Sequence, residues 1–150
     1  MSWTKKWTPV IAWAILISLF STHLFTAENT GRFIIPVLHL LFPSVSPDGL
    51  GRMHFLIRKS AHFTEYFILS LLILRGIRAG RKENRLVWAA IALFAVACYA
   101  SLDEFHQSFV PGRTAAVTDV MIDTMGGAVA QLVAGAALLI AGVRQRKQNG

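Results

Sequence analysis

The chain has 150 residues, 54% of them hydrophobic and only 15% charged, with a mean hydropathy of +0.51. Soluble domains carry nearer a quarter of charged residues, so this composition argues against an ordinary soluble globule. A single cysteine, Cys98, excludes an internal disulfide framework and a cysteine-only zinc site. The net charge of +7 would suggest nucleic-acid binding in a soluble protein, but its distribution along the chain points to a bilayer.

Four apolar runs organise the sequence. The first, Pro9 to Phe25, follows Lys5 and Lys6. The second, Ala61 to Leu74, is closed by Arg75 and Arg78. Leu86 to Leu102 is the third, and Val120 to Val143 the fourth, followed by Arg144, Arg146 and Lys147. A helix crosses about 30 Å of hydrocarbon with about 20 residues. Runs one, three and four qualify alone, and run two qualifies only by taking in polar Lys59 to Glu65. The expected fold is an all-α membrane protein, a bundle of four transmembrane helices within one domain (residues 1–150). Its spans are expected near 9–25, 61–78, 86–104 and 119–143. A cleaved signal peptide ending near Ala27 is the alternative for run one, but Phe25 fits a small-x-small cleavage site poorly.

Sorting the charges sets the expected orientation. If the N-terminus, the Arg75–Arg85 segment and the C-terminus share one side, that side holds ten of the fifteen basic residues and one acid, Glu83. The other side keeps five basic residues, seven acids and all five histidines. The positive-inside rule then places both termini in the cytoplasm of a multi-pass inner-membrane protein. The basicity becomes an orientation signal, and no nucleic-acid partner is expected. Between runs one and two, the segment Phe33–Phe42 covers only about 15 Å as a helix. It is expected to lie along the interface or to fold over the bundle mouth as a lid.

Helical phase gathers the polar residues into stripes. Lys59, His62 and Tyr66 share a face, with Arg58 and Glu65 beside it. Tyr99, Asp103, His106 and Gln107 share another, next to Glu104. Asp119, Asp123, Gly126, Ala130 and Ala134 align on the last helix, where small residues four apart allow close helix approach in lipid. At 1.5 Å per residue, Asp103 lies about 27 Å from Arg85, Asp123 about 31 Å from Arg144, and His62 about 24 Å from Arg78. Three helices measured separately therefore place their polar groups in one outer layer. Each residue also has a plainer reading. Arg58 and Lys59 would anchor a helix end among lipid phosphates, His62 with Glu65 would pair helices, and Asp119 would cap a helix. His23, His39 and His54 have no partners at helical spacing.

These residues carry a family resemblance. Lys59-Ser-Ala-His62-Phe-Thr-Glu65-Tyr66 resembles the Lys-x-x-His-x-x-x-Tyr signature of the VanZ-like family. Asp103-Glu104-Phe-His106-Gln107, continuing to Pro111-Gly112-Arg113, is similar to its Asp-Glu-x-x-Gln segment, and Asp119 with Asp123-Thr124-x-Gly126-Gly127 to its closing motif. Many relatives carry asparagine at the position of Asp123, so no acidic role there transfers from the resemblance. The resemblance implies a small bacterial membrane protein of four spans, from a family named for a member associated with teicoplanin resistance.

The site is therefore expected to comprise Asp103, Glu104 and His62 as candidate catalytic groups, with Lys59, Tyr66, Gln107, Arg113, Asp119 and Asp123 as ligand-binding groups. Lys59 and Arg113 would clamp a phosphate or carboxylate. Binding of an envelope lipid or a glycopeptide-related ligand leads; a membrane enzyme working by general acid and base chemistry follows. In a third reading His62, Glu65, Asp103, Glu104 and Asp119 hold a divalent metal, although no spacing is diagnostic for zinc. No metal ligand and no cofactor is assigned.

Overall fold

The computed structural model describes residues 2–78, 85–113 and 115–148. Arg81, Lys82 and Glu83 of the charge sorting lie outside the described residues, as does the side chain of Arg146. The described residues form five α-helices and one 3₁₀ turn, without a strand.

Helix α1 (Trp3–Phe20) begins where Ser2 Oγ accepts the Lys5 N–H, satisfying a first-turn donor. The chain then turns through the 3₁₀ segment His23–Phe25 into α2 (Ala27–Leu41), where Thr26 Oγ1 caps Asn29 N at 3.3 Å. Helix α3 (Pro47–Arg78) opens with proline at a position whose N–H has no helical partner to lose. Ser46 Oγ accepts the Gly49 N–H there at 3.3 Å. Helices α4 (Arg85–Gln107) and α5 (Val117–Gln148) follow. The loop between them turns at Gly112, whose φ of 78° is strained for residues with a Cβ.

Cross-helix contacts fix the directions. Gly76 near the end of α3 faces Lys6 and Trp7 at the start of α1. Trp13 Nε1 donates to Glu65 O at 2.8 Å, and the Tyr99 hydroxyl donates to Ala14 O at 2.6 Å. Helix α1 is thus antiparallel to α3 and parallel to α4. Lys59 meets Asp119, and Ser70 Oγ donates to Gly127 O at 3.1 Å, so α5 runs parallel to α3. Helix α3 is central and touches α1, α2, α4 and α5. The core is apolar and tight: Ile17, Tyr66, Leu69, Ile73, Ala92, Val96 and Ala100.

Two helices, α4 and α5, are long and apolar enough to cross a membrane, and α1 with α2 passes the same test only as a pair bent by 65°. Large apolar side chains such as Leu86, Phe94, Leu102, Leu132 and Leu139 face outward. Such a surface suits lipid and would aggregate in water. The protein is a membrane-embedded helical bundle.

The structure departs from the expected elements in two places. Run one does not continue helically to Phe25; α1 stops at Phe20, and the chain breaks direction at Ser21 and Thr22. The linker before run two is mostly helix, because α3 begins at Pro47, fourteen residues before Ala61. Apolar runs end at the first charges, whereas a helix tolerates Arg52, Arg58 and Lys59 along an exposed or pocket-facing side. All of the 33–42 segment except Phe42, the residue that ends the helix, lies in α2, which buries Gly31 and Leu38 and leaves Phe33, Val37 and Leu40 outward. It docks on α3 through Gly31, where a Cβ would lie 3.4 Å from the His54 ring, and through a 3.1 Å hydrogen bond between the Thr30 hydroxyl and His54 Nε2.

Candidate functional site

The end of the bundle away from Lys6 and Gly76 brings together residues from α1, α3, α4, α5 and the α4–α5 loop. All nine expected site residues lie there, but their partners assign them different work.

A first group locks the architecture. Asp103, buried, accepts hydrogen bonds at Oδ2 from Ser21 Oγ (2.8 Å) and Gln107 Nε2 (2.9 Å). Gln107 in turn accepts at Oε1 from Arg113 Nη1 at 2.8 Å. Arg113 Nη2 donates to the carbonyls of Phe20 and, at 3.2 Å, Phe25. A cation at the C-terminal carbonyls of α1 complements that helix end and satisfies acceptors that α1 cannot. Arg113, expected as a ligand clamp, spends both terminal nitrogens on this stitch. Burial, and then the neighbouring Arg58 charge, lower its pKa from the ordinary value, while Asp103 and Glu104 act against that shift. Glu104 Oε1 accepts the Ala116 N–H and so ties the loop to α4. Ser21 escapes sequence reasoning because nothing distinguishes a serine inside an apolar run.

A second group is paired. Lys59 Nζ forms an ion pair with Asp119 Oδ1 and lies 5.1 Å from the Phe55 ring centroid. His62 Nδ1 stands 3.4 Å from Asp123 Oδ1, close enough for charge attraction but without hydrogen-bond alignment. Tyr66 is fully buried, its ring 6.1 Å from that of Tyr99. Its hydroxyl lies toward Asp103 yet forms no hydrogen bond of good geometry.

Buried polar atoms without partners concentrate here. They include His62 Nδ1, the Tyr66 hydroxyl, Glu104 Oε2, Arg113 Nε and both carboxylate oxygens of Asp123. Native proteins leave few such atoms, because each costs free energy, and a cluster calls for an explanation such as a ligand, ion or water. The remaining buried orphan among the described residues, Gln131 Oε1, lies deeper on α5, and its amide nitrogen donates to Ser70 Oγ at 2.6 Å.

Two cavities open at this cluster. An apolar slot of about 210 Å³ lies among Phe20, Phe25, Ile34 and Ile57, with Arg58, His62, Glu65 and Arg113 at its polar side. A polar chamber of about 440 Å³ is bounded by Arg58, Lys59, His62, Arg113 and Asp119. Arg58, His62 and Arg113 line both. Sequence analysis set Arg58 beside the stripe as a lipid anchor, yet here it faces both cavities. His106 is exposed, and His54 serves the α2–α3 contact, in keeping with its lack of partners at helical spacing. Among the described residues no three His, Cys, Asp or Glu side chains are grouped to hold a metal, so the metal reading finds no ligand set.

Tyr66→Phe removes an orphan hydroxyl and no hydrogen bond, so its thermal stability in detergent is expected to match the parent within about 0.5 kcal/mol. A ligand that satisfies that hydroxyl would lose affinity in the same variant, which a binding titration detects.

A family model described as VanZ/LLP1 matches residues 4–139. No curated protein and no solved structure matches the chain.

Proposed function

The chain belongs to the VanZ/LLP1 family, and from that premise we propose that its polar end is an outward-facing site for an envelope-related or glycopeptide-related ligand. The cluster of partnerless buried polar atoms around two cavities carries this reading. In it the protein contributes to glycopeptide (teicoplanin) resistance or to envelope homeostasis.

The proposed topology has four spans, with α1, α3, α4 and α5 crossing and α2 at the outer interface. Lys5, Lys6, Arg75, Arg78, Arg85 and Arg144 are then cytoplasmic by the positive-inside rule, in the inner membrane of a bacterium. Helix α3 carries too many charges for a simple span. Those near its start reach the outer head-group layer, and Glu65 turns toward the slot rather than lipid. Residues that line a cavity escape much of the cost of ionisable groups in hydrocarbon.

Two measurements test the proposal. In a Cys98→Ala background, His106→Cys in the exposed last turn of α4 is expected to react with an impermeant maleimide on intact cells, and Arg144→Cys only after permeabilisation; the reverse pattern overturns the orientation. Mass spectrometry of gently purified protein is expected to find an outer-leaflet head-group compound that is depleted in Lys59→Ala. A site that purifies empty under every mild condition, with unchanged teicoplanin susceptibility on deletion, sinks the reading.

His62 and Glu65 at the wall of one cavity favour a second reading, a membrane enzyme acting on a lipid-linked envelope substrate. His62→Gln would then stop turnover while the compound still binds. If loss of function follows affinity across Lys59, His62 and Asp119 variants, binding alone suffices.

A further inference from the structure

We infer that Arg58 is the anion anchor of this site, and that the occupant is an amphiphile with a phosphate head in the polar chamber and a hydrocarbon chain in the apolar slot. The inference rests on the outward-facing site proposed above and names its ligand class.

Three cations line the cavities, and two are engaged. Lys59 holds Asp119, and Arg113 holds Gln107 and the carbonyls at the end of α1. Arg58 makes no hydrogen bond and no ion pair among the described residues, although it is half-buried and lines both cavities. A guanidinium carries five donors in a fixed fork, which suits the oxygens of a phosphate. Arg113, which lines both cavities with it, still has a buried Nε without a partner. Two guanidinium groups at one junction repel each other until an anion sits between them.

The acids do not reverse this sign. Asp103, Glu104 and Asp123 are buried behind the walls and line neither cavity. Glu65 and Asp119 do line them, and Asp119 is taken by Lys59. Asp119 attracts the Arg58 charge as well, but no acid forms an ion pair with Arg58 among the described residues, so its guanidinium fork stays available.

The slot supplies the second half. Phe20, Phe25, Ile34 and Ile57 meet Arg58 at its polar side, and α2 forms one wall through Thr30 and Ile34. The outer face of α2 is apolar and exposed at Phe33, Val37 and Leu40. A molecule dissolved in the membrane surface can approach there with its chain toward the slot. A free inorganic anion would use only the chamber.

Alkyl phosphates titrated into the full chain in neutral detergent test the assignment. Affinity is expected to rise by up to about fourfold per methylene from butyl to octyl phosphate until the slot is filled. Arg58→Gln is expected to weaken octyl phosphate at least tenfold, with Arg58→Lys intermediate. Ile34→Trp, which fills the slot, is expected to abolish the chain-length dependence and leave inorganic phosphate unaffected. Equal binding of octyl phosphate to Arg58→Gln overturns the anchor. Inorganic phosphate binding as tightly as octyl phosphate overturns the amphiphile, and tighter binding of octyltrimethylammonium overturns the sign. If octyl phosphate ignores Arg58 while an envelope compound still co-purifies, the ligand class falls and the site reading stands. If nothing co-purifies either, both fall.

Discussion

Gly126→Ala is expected to be the most damaging single-methyl change in the protein, lowering stability by about 3 kcal/mol, at the upper end for overpacking. The added Cβ would run into the Phe63 carbonyl oxygen and lie 3.1 Å from its carbon and 3.3 Å from its Cα. These are backbone atoms of α3, so no side chain can swing aside, and the two helices must separate. Gly127→Ala meets Val96 Cγ1 at 2.8 Å, a side-chain atom, and should cost less because α4 can yield locally. Gly135 and Gly142 face open space. Alanine there is expected to be neutral or to gain up to about 1 kcal/mol of helix propensity. Melting curves of the four variants in one detergent check the order. Gly126→Ala melting with the parent would mean that α3 and α5 do not touch along this line.

That contact was legible before any coordinates. Gly126, Ala130 and Ala134 stand four apart, and a stripe of small residues in a membrane helix reads as an interface. Ala130 is fully buried, and Ala134 packs against the core. The convergence of His62, Asp103 and Asp123 at one end was legible for a related reason. Helix rise is fixed, so counting residues from the basic ends gives depth directly.

Other features depend on rotation and on partners that composition does not reveal. Arg58 and Lys59 are adjacent, and the family signature directs attention to the lysine. A turn of about 100° per residue sends Lys59 to Asp119 and Arg58 to the cavity junction, which leaves the arginine without an ion pair among the described residues. Arg113 reads as a clamp because a guanidinium in a Pro-Gly-Arg turn suits anions. Its target is the C-terminus of α1, about ninety residues earlier in the chain. Of α2 only the apolar Phe33–Phe42 piece was legible as a short interfacial helix or lid, because its first turns, Ala27 to Arg32, are polar; the upstream half of α3 was hidden because charges end an apolar run without ending a helix.

The largest effect at the site itself is expected from His62→Ala. Asp123 is 1% exposed, has no hydrogen bond to either carboxylate oxygen, and has His62 Nδ1 as its near basic neighbour at 3.4 Å. Removing one member of a buried charge pair costs about 3–5 kcal/mol, because the other is left without compensation. Asp123→Asn removes the demand for a counter-charge and is expected to cost less than His62→Ala. The double variant His62→Ala with Asp123→Asn should then recover most of the stability lost in His62→Ala, a coupling that a double-mutant cycle measures. Ligand binding supplies the other axis. If the imidazole serves the cavities that it lines, the double variant regains stability but not affinity. If it serves only to offset Asp123, affinity returns together with the fold. A His62→Ala protein as stable as the parent would mean that the two side chains do not form a buried pair, and the site would lose its one histidine–carboxylate couple.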